Sequence, residues 1–191
     1  MTLRPWPLIA SKSVFDAGLF QVTCDRARSP RTGGEHDFHV LHMVDWLTVV
    51  PLTEDGQVVF VRQYRHGSRQ MSLELPGGLH DAADEQAQSG AARELSEETG
   101  YGGGEFFWLG DLRPQPALLS NRLRVYGARK LKLRGAPAMD AGEDIEVVLI
   151  DAQSVAAYVG RGEIDNAMTI AALAMASHAG LLSCQTSGGA R

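Results

Sequence analysis

The segment RELSEETGY, residues 93–101, gathers three glutamates immediately before a glycine. If a helix ends at that glycine, Glu97 and Glu98 lie in its last turn, where unsatisfied carbonyl groups disfavour negative charge. Residues three and four apart share one helical face, so Glu94 joins the other two in a patch of like charges. A hard divalent cation such as Mg²⁺ removes this repulsion. The segment therefore predicts a metal-binding helix, with a solvated acidic face as the alternative.

The residues before this segment predict the rest of the helix and a loop at its start. From about Asp84 to Thr99, with Gly100 as the C-terminal cap, apolar side chains recur at helical spacing: Ala87, Ala91, Ala92 and Leu95. Upstream, a PGG loop at residues 76–78 brings backbone close to the helix start. Arg93 stands beside the acids as a donor that can orient a carboxylate.

Strand and helix patterns on both sides of this helix predict a mixed fold. Runs that favour strands come first: GLFQVTCDRA, EHDFHVLHMVDWLTVVPL, EDGQVVFVRQYRHG and LELPGGL. Three strand patterns and two helical patterns follow: EFFWLGDL, RLRVYGARKL, DIEVVLI, AQSVAAYVGRG and NAMTIAALAMASHAGLL. Strands that flank a helix favour a mixed sheet between helical layers, an α/β (α+β) architecture. We expect an antiparallel β region at 1–45, a main domain at 46–183 and a flexible tail at 184–191.

Composition excludes several classes of protein. With 191 residues, 44% of them hydrophobic and 21% charged, the chain can form one domain with a full core. Its net charge of -5 provides no positive field for nucleic acid, and no apolar run approaches the roughly 18 residues of a membrane span. Cys24 and Cys184 are isolated, which suits a reducing compartment. We therefore expect a cytoplasmic protein that binds neither nucleic acid nor membrane.

The segment and the PGG loop resemble the Nudix box, the signature of hydrolases that cleave diphosphate linkages. The second half of the box is matched at every defined position: Arg93, Glu94, Leu95, Glu97, Glu98, Gly100 and Tyr101. The first half departs by one residue, because six residues separate Gly78 from Glu85, one more than in the signature. Either the loop carries an insertion and Glu85 is the first acid of the box, or Asp84 takes that place. We favour the insertion, because a loop absorbs an extra residue more easily than a helix does.

The resemblance implies a Nudix-type α/β/α sandwich with a mixed β-sheet, and it implies roles for individual residues. Bound Mg²⁺ or Mn²⁺ would have as ligands Glu94, Glu98, Glu143 and the backbone carbonyl of Gly77. The catalytic residues would be Arg93, Glu97 and Glu143. A water molecule at the metal would attack one phosphorus of a nucleoside diphosphate derivative, a reaction for which such ions are suited.

Beyond the box, the chain resembles the ADP-ribose pyrophosphatase group and its nucleotide-sugar relatives. VRQYR places Arg65 where that group has a phosphate-contacting arginine, and Pro116 falls fifteen residues beyond Tyr101, where ADP-ribose-cleaving members tend to have a proline. Glu74 and Trp46 complete the implied substrate-binding set, although a tryptophan in VDWLTVV is also typical of a core.

GEDIEVV resembles the acidic loop of the same group. In those relatives the loop acid completes the metal site or acts as the base. The role falls here on Glu143, with Asp144 and Glu146 as rivals, and Glu146 on a strand is also typical of a solvent-facing residue.

Some features leave the substrate and the class open. Asn121 and Arg122 stand where many ADP-ribose enzymes have a glutamate, so a GDP-mannose-type substrate or another nucleoside diphosphate derivative is the alternative. A protein of a different class, a Nudix-fold sensor that binds a nucleotide sugar without cleaving it, would not need all three glutamates of the box. The resemblance also implies a homodimer whose amino-terminal strands help to build the partner's site.

Overall fold

The computed structural model describes residues 2–81, 84, 86–139 and 141–182. It divides the chain into two compact units: Met1–Asp45 with Arg113–Arg122, and Trp46–Leu112 with Leu123–Arg191. Cys24 is a free thiol, whereas Glu85, Cys184 and the predicted tail at 184–191 lie outside the described residues.

The first unit contains an antiparallel sheet of three strands. β1 (Leu8–Asp16), β2 (Phe20–Arg28) and β3 (Glu35–Met43) pair in sequence order. The chain turns between β1 and β2 at Gly18, whose φ of 76° is strained for any residue with a side chain. The alternating sequence patterns of this region therefore form strands, as predicted.

The stretch 113–122 is bonded to β3 of this sheet. The N–H of Leu41 on β3 donates to the carbonyl of Leu118 at 2.9 Å, and the N–H of Ser120 donates back to Leu41 at 3.0 Å. Many large apolar side chains of the first unit remain exposed: Leu3, Trp6, Leu8, Ile9, Val14, Phe15, Leu19, Phe38 and Val44.

The second unit contains a seven-stranded mixed sheet. Its strands are β4 (Trp46–Thr53), β5 (Gln57–Arg65), β6 (Gln70–Glu74), β7 (Tyr101–Gly102), β8 (Glu105–Leu112), β9 (Leu123–Leu133) and β10 (Ile145–Asp151). They lie in the order β10-β5-β4-β9-β7, with β6 beside β5 and β8 beside β9. β4 and β9 pair in parallel, and the other pairings of these strands are antiparallel. The mixed sheet predicted from the sequence is confirmed.

Helices cover both faces of this sheet. α1 (Ala87–Thr99) packs in one apolar cluster with Val49 of β4, while α3 (Ala167–His178) packs in a second cluster with the neighbouring Val50. Successive strand residues point to opposite faces, so the two clusters lie on opposite sides of the sheet. A short helix, α2 (Val155–Gly160), joins the second cluster. Among the described helices, none has the length and apolar character needed to cross a membrane.

α1 begins later than its sequence pattern indicated, at Ala87 rather than at about Asp84. The N–H of Asp84 donates to the carbonyl of Asp81 at 3.1 Å, and the Asp84 carboxylate accepts from the N–H of Asp81 at 3.3 Å. An aspartate that bonds to nearby backbone in this way favours a turn over a helix.

The C-terminus of α1 is closed by backbone groups, and its last turn has no basic residue. Gly100 takes the left-handed conformation, with φ at 73°, and its N–H donates to the carbonyl of Ser96. The segment after β9 then returns to the helix, because the N–H of Arg134 donates to Gly100 and that of Ala138 donates to Glu97, both at 2.8 Å. These bonds satisfy carbonyl groups that the helix itself leaves without a partner.

Gly100→Ala is expected to lower the free energy of unfolding by about 2 kcal/mol or more. Alanine is strained in the left-handed conformation, and its Cβ would lie 2.2 Å from the carbonyl oxygen of Gly135. Gly135→Ala is the matched control, because a Cβ there meets no atom within 4 Å. Denaturant unfolding of both variants measures the difference, and equal stabilities would contradict the close approach of the two segments.

Candidate active site

Glu98 is a deeply buried acid of α1 and lies against the PGG loop. The residue is only 3% exposed, and its Oε2 accepts a hydrogen bond from the N–H of Gly77 at 2.9 Å. Burial, together with the charges of Glu94 and Glu143, raises the pKa of Glu98 to about 8, against the opposing effects of the Gly77 N–H and the charge of Arg65. A buried carboxylate surrounded by other acids is the arrangement expected of a cation ligand.

Glu94 lies one turn before Glu98 and closes against the same loop. A Cβ at Gly78 would lie 2.6 Å from the carboxylate carbon of Glu94, so glycine at this position leaves room for the acid. Burial raises the pKa of Glu94, and the charge and hydrogen bond of Arg93 oppose that change. The Glu94 and Glu98 carboxylates therefore both lie where burial disfavours the negatively charged form.

Arg93 is held between two other carboxylates. Its Nε and Nη2 donate to Asp84 at 3.3 and 3.2 Å, and its Nη1 donates to Glu97 at 2.7 Å. Asp84 is thus one acid that orients Arg93. The interpretation that we favoured from the sequence, in which Glu85 is the first acid of the box, stays a prediction because Glu85 lies outside the described residues.

Glu143 lies on the segment between β9 and β10, the same segment that is bonded to the end of α1. Its charge contributes to raising the pKa of Glu94 and of Glu98. Glu146 forms an ion pair with Arg62 of β5 at 2.9 Å. The role of Glu143 in the metal site or as the base stays a prediction, with Asp144 and Glu146 as the alternatives.

Some of these residues could hold a divalent cation. In residues 2–81, 84, 86–139 and 141–182, no three His, Cys, Asp or Glu side chains are gathered closely enough to hold one ion. The donor set still fits a hard divalent cation, since Glu94, Glu98 and Glu143 offer carboxylate oxygens that repel one another until a cation binds. The role of the Gly77 carbonyl as a further ligand stays a prediction.

A cleft of about 770 Å³ opens beside the PGG loop. Its walls come from the start of β4, the hairpin of β5 and β6, and the start of α3. One wall carries an ion pair, in which Nε and Nη2 of Arg65 donate to the two oxygens of Glu74 at 2.9 and 2.7 Å. The Glu74 side chain is 6% exposed, whereas that of Arg65 is 47% exposed. A guanidinium group fixed in this way is suited to binding phosphate.

The ion pair also determines the charge of Glu74. Burial raises the pKa of the Glu74 carboxyl, but hydrogen bonds from Arg65, Ser72 and Asn166 and the charge of Arg65 outweigh it, so the pKa lies below its usual value. Glu74 is therefore an anion in the cleft wall, and Arg65 is the cation that faces the open side.

The remaining residues predicted from the sequence have mixed outcomes. Trp46 lines the cleft and also packs against the apolar cluster of α3, so it is both a cleft and a core residue. Pro116 belongs to the first unit, and its contact with substrate stays a prediction. Asn121 has a structural contact, because its Nδ2 donates to the carbonyl of Val44 at 3.2 Å.

Sequence reasoning missed Asn166, which lines the cleft and caps the N-terminus of α3. An asparagine directly before the helical pattern AMTIAALAM was a signal for an N-cap. Its place in the wall of the cleft had no such signal.

Comparison with known proteins identifies the family. A family model of the NUDIX domain matches residues 42–169 of the sequence. This range includes the PGG loop, α1 and the cleft. The chain therefore belongs to the NUDIX family. It is 33% identical over 180 residues to an ADP-ribose pyrophosphatase from Mycobacterium tuberculosis, covering 94% of this chain and 86% of that protein. It is 23% identical over 166 residues to a methanol dehydrogenase activator from Bacillus methanolicus, covering 86% of this chain and 89% of the relative.

The fold is shared with a solved structure. The crystal structure of an ADP compounds hydrolase superposes with a TM-score of 0.81 at 20% identity, covering 93% of this chain and 95% of the other. The predicted Nudix fold and the predicted membership of a family of hydrolases are confirmed.

Proposed function

We propose that this protein uses Mg²⁺ or Mn²⁺ to hydrolyse the diphosphate of ADP-ribose to AMP and ribose 5-phosphate. The observation that carries the proposal is the buried Glu98 of α1, next to a cleft whose wall presents Arg65. The 33% identity with an ADP-ribose pyrophosphatase over 94% of this chain supports the choice of substrate. Retention of Glu94, Glu97 and Glu98 together favours an enzyme over a sensor that binds a nucleotide sugar without cleaving it.

The acidic residues would bind the metal ion. When bound, a divalent cation neutralises charge on the diphosphate and lowers the pKa of a water molecule. The groups that would hold it are Glu94, Glu98, Glu143 and the backbone carbonyl of Gly77.

The other residues of the site bind and orient. Arg65 binds phosphate oxygens through the N–H groups that Glu74 does not use. As the alternative to binding the metal, Glu143 accepts the proton of the attacking water, and its exposed position lets that proton pass to solvent. Arg93 donates a hydrogen bond to Glu97 and holds it beside the residues that would bind the metal. Both residues therefore orient the metal ligands.

Glu98→Gln is expected to reduce turnover of ADP-ribose by about a hundredfold or more at saturating Mg²⁺, since even the groups that merely orient a metal ligand are worth 10–100-fold. An amide cannot supply the anionic oxygen that a hard cation needs. Glu54→Gln, which neutralises an exposed glutamate paired with Lys132, is the matched control. Steady-state kinetics and a melting curve are measured for both, and near-normal turnover of a folded Glu98→Gln protein would exclude the metal assignment.

ADP-ribose with Mg²⁺ is expected to give AMP and ribose 5-phosphate as the only products, identified by ion-exchange chromatography. GDP-mannose is the first alternative substrate, because Asn121 and Arg122 differ from the pattern of many ADP-ribose enzymes, whereas Pro116 agrees with it. Nucleoside triphosphates are the negative control. Faster cleavage of a triphosphate than of any nucleoside diphosphate sugar would contradict the substrate class.

A homodimer in the cytoplasm is part of the same proposal. The free thiol of Cys24 suits a reducing compartment. Exposed apolar residues of the first unit, among them Ile9 and Phe15 of β1, support burial against a second copy of the chain. In that dimer the amino-terminal strands help to build the partner's substrate site.

Sedimentation equilibrium of the full chain is expected to give twice the mass of one chain at micromolar concentration. Phe15→Glu is expected to shift the protein towards monomer and to raise the KM for ADP-ribose, because a charge replaces an apolar contact. Lys12→Glu, on the same strand, is the control. A full-length monomer that turns over ADP-ribose normally would be inconsistent with a shared site.

A further inference from the structure

The wall of the cleft carries a second acid besides Glu74. Glu74 forms a two-nitrogen ion pair with Arg65, so its negative charge is compensated within the wall. Asp165, directly before α3, also lines the cleft and is exposed. In the part of the chain that the structure describes, no hydrogen bond or ion pair uses the Asp165 carboxylate. Asp165 therefore adds an uncompensated negative charge to the cleft.

The backbone on both sides of Asp165 is fixed by the fold. Ile164, the residue before it, is fully buried in the apolar cluster of α3. Asn166, the residue after it, is the N-cap of α3, and its Oδ1 accepts from the N–H of Thr169 at 3.0 Å. Thr169 is tied in turn to the end of β6, because its Oγ1 accepts from the N–H of Leu75 at 3.2 Å. Asp165 thus lies at a defined place in the wall.

A carboxylate at this place is unsuited to the phosphate groups of a nucleotide. Like charges in a cleft repel each other, so a phosphate group beside Asp165 loses binding energy. A ribose instead presents two neighbouring hydroxyl groups, and the two oxygens of a carboxylate can accept a hydrogen bond from each. Trp46 and Met168, which also line the cleft, offer apolar surface for the C–H groups of such a ring.

We propose that Asp165 is a specificity-determining residue, which accepts hydrogen bonds from the vicinal hydroxyl pair of a ribose and disfavours a phosphate group at the same place. This role rests on the proposed function, in which the cleft holds a nucleoside diphosphate sugar. The attraction and the repulsion act in the same direction, because both favour such a sugar over a nucleoside triphosphate. ADP-ribose contains two riboses, and deoxy analogues distinguish which of them is bound.

A purely structural role for Asp165 makes a different prediction. A negative charge before the N-terminus of α3 is favoured by the helix dipole. Loss of such a charge lowers the melting temperature and affects every ligand of the cleft alike. Loss of a group that discriminates between hydroxyl and phosphate instead changes the binding of the two kinds of ligand in opposite directions.

Asp165→Asn is expected to raise the KM for ADP-ribose about tenfold and to change kcat by less than about twofold. The inhibition constant of ATP against ADP-ribose is expected to fall about twofold or more, because the repulsion of phosphate is removed. Glu163→Gln is the matched control, since Glu163 is an exposed acid two residues earlier that pairs with Arg161. Changes of both constants in the same direction, with a lower melting temperature, would overturn the proposal.

Two analogues of ADP-ribose, each without the 2-hydroxyl group of one ribose, identify the hydroxyl pair. For the unmodified protein, one analogue is expected to have a KM about tenfold above that of ADP-ribose. For Asp165→Ala, the KM of the same analogue is expected to lie within about twofold of that of ADP-ribose, because the partner of the hydroxyl group is gone. Equal KM values for the unmodified protein, or an unchanged difference in Asp165→Ala, would overturn the proposal.

Binding without turnover separates this proposal from the proposed function. The full chain is titrated with ADP-ribose in the presence of EDTA and followed by ¹⁵N NMR spectra. The Kd is expected to be at least about fivefold higher for Asp165→Asn and unchanged for Glu163→Gln. This result without cleavage of ADP-ribose by the unmodified protein and Mg²⁺ would support the role of Asp165 and reject the proposed hydrolysis. Equal Kd values of Asp165→Asn and the unmodified protein, with normal cleavage, would overturn the role of Asp165 alone.

Discussion

The contact of the PGG loop with β4 and α1 is the constraint on which the site depends. The loop pairs with β4 through the N–H of Leu47, which donates to Gly78 at 2.9 Å, and through the N–H of Gly78, which donates back at 3.1 Å. A Cβ at Gly77 would lie 2.1 Å from the carbonyl oxygen of Leu47, so this approach is closed to any larger residue. The same approach brings the N–H of Gly77 to Glu98 and excludes water from that carboxylate. The site therefore exists because two glycines let three segments of backbone and side chain meet.

The unfavourable end of α1 is compensated by backbone hydrogen bonds from another segment of the chain. Acids in the last turn conflict with the helix dipole, and no basic side chain lies in that turn. Backbone N–H groups of Arg134 and Ala138 satisfy the terminal carbonyls, which reduces the local negative potential. The helix that carries the acids of the box therefore depends on the segment after β9 for its closed end.

In the cleft wall, hydrogen bonds again stabilise a charged group that burial disfavours. Glu74 is nearly buried, and its negative charge is tolerated because Arg65 donates to both of its carboxylate oxygens. Arg65 is consequently fixed while its outer side remains accessible, the combination required for recognition of phosphate. The cleft therefore has the PGG loop, which bonds to the buried Glu98, along one border and an ordered guanidinium group on another, which matches a substrate whose diphosphate must be bound and cleaved.

The sequence by itself determined the helix of the box, its C-terminal glycine, the strands and the Nudix family, because these features depend on residues within a few turns or one strand of each other. It also brought Glu94 and Glu98 to one face, since a helix places residues four apart together. Only the tertiary structure decided that Glu146 pairs with Arg62 and that Glu98 is buried against the N–H of Gly77. These contacts join residues tens of positions apart, and they depend on how strands pair and how closely loops approach, which local periodicity does not contain.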